Sequence, residues 1–250
     1  MRHLRRWLPV AAGLAGYFLL VSRMDWWESA LSAVFPDRGH VLYPRATLLQ
    51  FTGEHLALVA VSSAFTIAIG LPLGIWVTRR SGRAFRSLVV TGVDVGQTFP
   101  PVAVLALAMP LMGFGFWPTI VALVLYGLFP VVSNTVAGLE AVPDDVREAA
   151  RGMGMSSTQM LVRVELPLAA RVIMAGVRTS VIINIGTATI GAAIGAGGLG
   201  DPIIVGLVTR NMAYVLEGAI PAALLAVVAD AALGALEKEL SLEGRAVLAA

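Results

Sequence analysis

The chain has 250 residues, 57% of them hydrophobic and only 14% charged, with 18 Lys+Arg against 16 Asp+Glu for a formal net charge of +2. An average soluble domain is roughly 25% charged, so a polar shell this thin excludes an ordinary water-soluble enzyme, and so small a net charge excludes a nucleic-acid binder that tracks phosphates. The apolar content also excludes a disordered chain.

A helix that crosses a bilayer needs about 20 mostly apolar residues, because roughly 30 Å of hydrocarbon is crossed at 1.5 Å per residue. Six stretches meet or approach that length: 7–22, 56–77, 87–112, 117–136, 170–194 and 213–236. The chain is therefore expected to be an all-α integral membrane protein with about six transmembrane helices. The first stretch follows Arg2, Arg5 and Arg6, as a signal peptide would, but Ser22-Arg23-Met24-Asp25 offers no A-x-A-like cleavage site. It is read as an uncleaved anchor. Trp26 and Trp27 suit an interfacial aromatic belt. The segment 28–45, with Pro36, Gly39 and Pro44, reads as an outer loop or short interfacial helix.

The third stretch is interrupted by Phe99-Pro100-Pro101, which removes two backbone donors in mid-membrane. A packing kink and a place on a translocation path both fit such a break. Gly70 and Gly74, Gly92 and Gly96, and Gly191 and Gly195 recur at four-residue spacing and permit close helix approach.

The basic residues orient these helices. With the N-terminus inside, thirteen of them fall in cytoplasmic segments: Arg2, Arg5, Arg6, Arg79, Arg80, Arg83, Arg86, Arg147, Arg151, Arg163, Arg171, Lys238 and Arg245. Four fall outside: Arg23, Arg38, Arg45 and Arg210. Both termini are accordingly expected in the cytoplasm.

Between the fourth and fifth stretches lies a long cytoplasmic loop, 138–168. Asp144 or Asp145 places negative charge at the start of a short helix. Gly154 can adopt a left-handed conformation and end it. Ser156, with Gln159 three residues on, forms a capping box for a second short helix. Pro167 is expected to stop that helix before the next span.

This loop carries a motif. Glu148-Ala149-Ala150, three residues, Gly154, nine residues, Val164, one residue and Leu166-Pro167 resemble the E-A-A-x3-G-x9-I-x-L-P coupling loop of ABC importer permease subunits, with Val164 in the place of Ile. Further segments resemble the osmoprotectant branch, which imports glycine betaine, choline, carnitine and related quaternary amines. They are Gln97-Thr98-Phe99-Pro100-Pro101, Gly176-Val177-Arg178, Thr187-Ala188-Thr189-Ile190-Gly191 and Gly195–Gly200. The resemblance covers roughly residues 56 to 236.

The resemblance implies a five-helix type I ABC importer permease core plus one N-terminal helix. Residues 1–55 would form the anchor and outer loop, 56–237 the core and 238–250 a cytoplasmic tail. It also implies three protein partners: an ABC ATPase subunit, a second permease subunit, identical or paralogous, and a periplasmic or extracellular solute-binding protein. The setting is the bacterial cytoplasmic membrane, and no nucleic acid is involved. Glu148, Ala149, Ala150, Gly154, Val164, Leu166 and Pro167 would form the surface that docks into the ATPase.

The residues agree with that division of labour. The sole lysine is Lys238, followed by Glu239, so no G-x-x-x-x-G-K-[ST] phosphate loop exists. ATP and Mg would be bound by the partner, and no catalytic residue is assigned to this chain. No Cys is present, and His3, His40 and His55 are too scattered to suggest a metal site.

Charged side chains cost a few kcal/mol in hydrocarbon and usually face the bundle interior. Asp94 and Arg178 lie at comparable depths in their spans and are expected to pair, while Glu217 and Asp230 are expected to snorkel. Gln97, Thr98, Phe99, Pro100, Asn184, Thr187 and Thr189 are the pathway candidates; a role in helix–helix hydrogen bonding fits each of them as well. The spans hold few aromatics for a quaternary-ammonium cage, so a high-affinity site is expected in the soluble receptor instead. A self-sufficient secondary transporter or channel is the alternative, but it would need coupling-ion ligands that the sequence does not display.

Overall fold

The structure is a computed structural model that describes the backbone of residues 2–247 and the side chains of residues 7–239. The described residues form helices and turns, without strands. Four helical stretches are long and apolar enough to cross a membrane: Leu48–Thr78, Phe116–Glu140, Ser157–Ile194 and Met212–Glu239. Two bent helix pairs bring the total to as many as six, matching the count read from composition.

Helices α1 (Arg2–Ser22) and α2 (Met24–Val34) meet at a 72° bend. The corner is fixed by the Trp27 indole N–H, which donates to the Leu20 carbonyl at 3.0 Å. Trp27 and Leu31 bury one face of α2, while Trp26 stays half exposed beneath the Arg23 guanidinium. The segment 28–45, expected to be loop or interfacial helix, is thus helical through Val34, the end of α2, and irregular after it.

Helix α3 (Leu48–Thr78) begins at Leu48, so the expected boundary at residue 56 falls inside it. The polar run Gln50, Thr52, Glu54 and His55 hid its first two turns. Each of these side chains has a partner. Thr47 and Gln50 cap the helix reciprocally: Thr47 N–H donates to Gln50 Oε1 at 2.9 Å and Gln50 N–H to Thr47 Oγ1 at 3.3 Å. Thr52 Oγ1 lies 3.1 Å from Tyr17 Oη, and His55 Nε2 lies 3.0 Å from the Ile185 carbonyl. Glu54 Oε2 accepts the Gly198 N–H at 2.7 Å.

A 3₁₀ turn at Arg83–Phe85 leads to α4 (Arg86–Thr98), and α5 starts at Pro101 and runs to Met112. Pro100 and Pro101 break the helix as the sequence requires: Pro100 sits at φ −59°, ψ 134°, and its carbonyl starts the α5 ladder. Then follow α6 (Phe116–Glu140), α7 (Asp144–Gly152), α8 (Ser157–Met160), α9 (Leu166–Gly191), α10 (Gly200–Thr209) and α11 (Met212–Val247). The short helix α10 was not foreseen. Helix α11 continues past residue 237, so the expected tail starts within a helix; residues 248–250 lie outside the described residues.

Pro167 does not stop a helix. A π-helical turn, Leu161–Glu165, joins α8 to α9 and makes Ser157–Ile194 one continuous run. Proline lacks an N–H and its ring collides with the carbonyl four residues back. Here that carbonyl belongs to Arg163, inside the wider π turn, where the helix has room for the ring.

The chain divides into two compact units. One comprises Met1–Ser63, Phe99–Val124 and Val181–Ala232; the other comprises Ala64–Thr98, Leu125–Ser180 and Leu233–Ala250. The first has a large apolar core that includes Phe51, Leu58, Leu123, Ile185 and Leu199. It also buries Glu217 completely, and Glu217 Oε2 accepts the Tyr43 N–H at 2.7 Å. Glu217 therefore ties down the loop before α3 instead of snorkelling. The second unit packs Val77, Val132 and Val136 against Leu73, Val89, Val90 and Val93.

Candidate functional site

The 138–168 loop is built in the second unit, and local sequence explains most of it. Helix α7 starts after Pro143, with Asp144 and Asp145 in its first turn and Arg151 in its last, matching the helix dipole at both ends. Gly154 has φ +77°. That left-handed residue lets Gly154 N–H reach the Arg151 carbonyl at 2.9 Å and Met155 N–H reach Ala150 at 3.1 Å, so the last carbonyls of α7 are satisfied. Ser156 then caps α8: its N–H donates to Gln159 Oε1 at 2.8 Å, and Gln159 N–H donates to Ser156 Oγ at 3.3 Å.

The motif residues divide by face. Glu148 and Ala149 are exposed, whereas Ala150 is buried beneath them. Met153 is largely exposed at the tip, and Met160 is buried. Val164, Leu166 and Pro167 are half-buried on the π turn and the start of α9.

One further residue holds this loop, and the motif reading passed over it. Glu165 is only 2% exposed. Its Oε2 accepts from Arg79 Nη1 at 2.5 Å and its Oε1 from Arg147 Nε at 3.0 Å. Arg147 also donates to Asp144 Oδ1 at 2.9 Å and to the Leu139 carbonyl at 2.6 Å. Burial alone would lower the pKa of Arg147, but the hydrogen bonds and charges of Glu165 and Asp144 outweigh it and hold the guanidinium above its ordinary value. Arg147 therefore stays charged at any physiological pH. Three segments, the end of α3, α7 and the π turn, are tied together through one carboxylate. The sequence signal was a glutamate set among apolar residues, with Val164 on one side and Leu166 on the other.

Beside this buttress lies a groove of about 850 Å³. Arg79, Arg80, Arg83, Arg147 and Arg151 line it, with Glu140, Asp144 and Glu165 as its carboxylates. No cluster of three or more His, Cys, Asp or Glu that could hold a metal exists among the described residues. The arrangement is a braced helix tip with small side chains, on which Glu148 is exposed and has no ion pair among the described residues.

The pathway candidates are distributed differently. Gln97 Nε2 donates to the Tyr126 carbonyl at 3.4 Å, and Thr98 Oγ1 folds back to Val95 at 2.7 Å. Phe99 and Pro100 are exposed at the helix break. Thr187 and Thr189 are half-buried on α9, where Thr189 Oγ1 donates to Gly186 at 2.7 Å. Asn184 is fully buried, and its amide donates to Ser62 Oγ at 3.2 Å and Ser63 Oγ at 3.5 Å. It is a helix–helix hydrogen-bonding residue.

The expected Asp94–Arg178 pair does not form. Arg178 Nη1 donates to Glu237 Oε2 at 3.1 Å, with Arg171 3.7 Å from the other carboxylate oxygen. Asp94 is on an exposed face of α4. Equal depth along two helices does not make two side chains face each other; the rotation of each helix decides that.

Residues 70–242 match the family of binding-protein-dependent transport system inner membrane components. The chain is 40% identical over 197 residues to the glycine betaine/carnitine/choline transport system permease protein OpuCB of Bacillus subtilis (strain 168), covering 79% of this chain and 90% of that protein. It is 42% identical over 194 residues to the osmoprotectant import permease protein OsmY of Salmonella typhimurium, covering 78% and 82%. Among solved structures, a chain of the MetNI methionine ABC transporter in an inward-facing conformation superposes with a TM-score of 0.68 at 24% identity, over 77% of this chain and 95% of that one. That likeness concerns the fold alone. With the spans, the coupling-loop motif and the matched relatives agreeing, the chain is a multi-pass permease subunit of the cytoplasmic membrane and belongs to the binding-protein-dependent transport system inner membrane component family.

Proposed function

We propose that this subunit forms the path by which glycine betaine or a related quaternary-ammonium osmoprotectant enters the cell, driven by a separate ATPase subunit. The observation that carries the coupling role is the braced α7: Glu148 and Ala149 are presented on its exposed face while Glu165 and Ala150 anchor it from behind. A helix tip held by charge-assisted hydrogen bonds can transmit displacement instead of absorbing it. ATP and Mg bind the partner, since the chain lacks a phosphate loop.

The substrate class rests on the relatives named for glycine betaine, carnitine and choline. A second permease subunit completes the path, and a solute-binding protein delivers the cargo and sets its identity. Both termini face the cytoplasm, with the α7 loop on the same side. Thr98, Phe99 and Pro100 are the exposed pathway candidates, with Gln97, Thr187 and Thr189 half-buried.

Co-purification of the ATPase subunit tests the coupling role. Glu148→Arg reverses the charge on the docking face. Gly154→Trp forces a bulky side chain into a left-handed turn that has free space around it but the wrong backbone preference. Glu148→Arg is expected to reduce ATPase recovery at least about tenfold, the loss of one charge-assisted contact, and Gly154→Trp to reduce it by distorting the turn. Undiminished recovery with both variants would sink the docking assignment.

A further inference from the structure

We infer that the groove beside α7 binds the phosphate of an anionic phospholipid headgroup. The charges in the groove are not evenly matched. Glu165 is taken up by Arg79 and Arg147, Asp144 by Arg147, and Glu140 by Arg86 at 2.7 Å. Among the described residues, Arg80, Arg83 and Arg151 have no carboxylate at ion-pair distance, and all three are exposed. Three guanidinium groups thus line one concavity with their donors unused, and the hydroxyls of Ser157 and Thr158 lie in the same lining. Guanidinium forks match phosphate oxygens in shape and charge. A volume near 850 Å³ is ample for a lipid headgroup.

The position of the groove selects a lipid as the source of that phosphate. Arg79 and Arg80 follow directly on Thr78, the last residue of a spanning helix. The same turn presents two stacked aromatic rings, Trp76 and Phe85, with centroids 5.6 Å apart and 38% and 49% of their surfaces exposed. Exposed aromatic rings next to unpaired arginines at a helix end are the composition of a headgroup boundary. An acidic protein segment would use the arginines and leave the rings bare. The docking residues Glu148, Ala149, Ala150, Gly154, Val164, Leu166 and Pro167 are not in the groove lining, which shares Arg147 and Glu165 with the brace behind them.

Native mass spectrometry of the full chain released from detergent supplies the test, with phosphatidylglycerol and phosphatidylcholine offered in equal amounts. The unmodified chain is expected to retain phosphatidylglycerol at least about tenfold over phosphatidylcholine. Combined Arg80→Gln, Arg83→Gln and Arg151→Gln substitution should abolish that preference, while the corresponding Lys triple variant, which keeps the charges, should largely preserve it. Arg23→Gln with Arg38→Gln, just before α2 and in the loop after it, should leave it intact. Equal retention of the two lipids by the unmodified chain, or an undiminished preference in the Gln variant, overturns the inference. Loss of the preference in the Lys variant with helical content unchanged overturns it as well. Displacement by millimolar inorganic phosphate would assign the groove to a free anion and overturn the lipid assignment.

Discussion

Glu165→Gln keeps the shape of a buried side chain and removes its charge. Two charge-assisted hydrogen bonds, from Arg79 at 2.5 Å and Arg147 at 3.0 Å, lose their anionic acceptor. Hydrogen bonds to charged groups contribute about 1.5–3 kcal/mol each. The two arginine side chains are 26% and 19% exposed, so water recovers part of the loss and the low end applies. The sum is about 3 kcal/mol, or roughly a hundredfold in the equilibrium for opening α7. Arg147 keeps its bonds to Asp144 and Leu139, so the loss is local and global unfolding should shift little. Hydrogen–deuterium exchange of the amides of residues 147–152 reads it directly: their protection should fall by about two orders of magnitude while amides in the middle of α6 stay protected. In a double-mutant cycle, Arg79→Gln should cost much less on the Glu165→Gln background than alone. If the exchange of α7 is unchanged within about threefold, Glu165 is not the brace, and the mechanical reading of the loop is wrong.

Two packing predictions accompany it. Arg178→Glu and Glu237→Arg should each lower the thermal midpoint of the solubilised chain by a few degrees, corresponding to about 1–3 kcal/mol, and their combination should restore it. The Asp94→Arg and Arg178→Asp combination should not; rescue by that pair would contradict the contact seen at Glu237. A Cβ added at Gly176 would sit 2.5 Å from the Pro130 carbonyl oxygen and 2.6 Å from Asn134 Cβ, whereas one at Gly186 meets nothing within 4 Å. Gly176→Ala should therefore cost about 1–3 kcal/mol by overpacking, and Gly186→Ala should change stability by less than about 1 kcal/mol. Equal effects in thermal unfolding would contradict the packing of α6 against α9.

What was legible in the sequence was local. Ser156 with Gln159, the left-handed Gly154 and the interruption at Phe99-Pro100-Pro101 are each decided by residues a few positions apart, and each is formed. The apolar runs were long enough to mark the spans without any tertiary information. What escaped depends on distant partners. Glu165 owes its role to Arg79, 86 positions away in the chain. Thr52, Glu54 and His55 looked like loop chemistry because their partners come from other parts of the chain, so the first turns of α3 were lost. Pro167 was misread because a stop signal presumes a regular helix, and a π turn removes the clash. The Asp94–Arg178 pairing failed because depth is readable from sequence but helix rotation is not.

The central claim is that this chain is an ATP-coupled path and no independent transporter. Proteoliposomes with the permease and ATPase subunits, with labelled glycine betaine and the binding protein outside, test it most directly. The account predicts uptake only with ATP available to the ATPase and the binding protein present, and loss of that uptake with Glu148→Arg. Sustained uptake by this chain alone, without ATP, would contradict it.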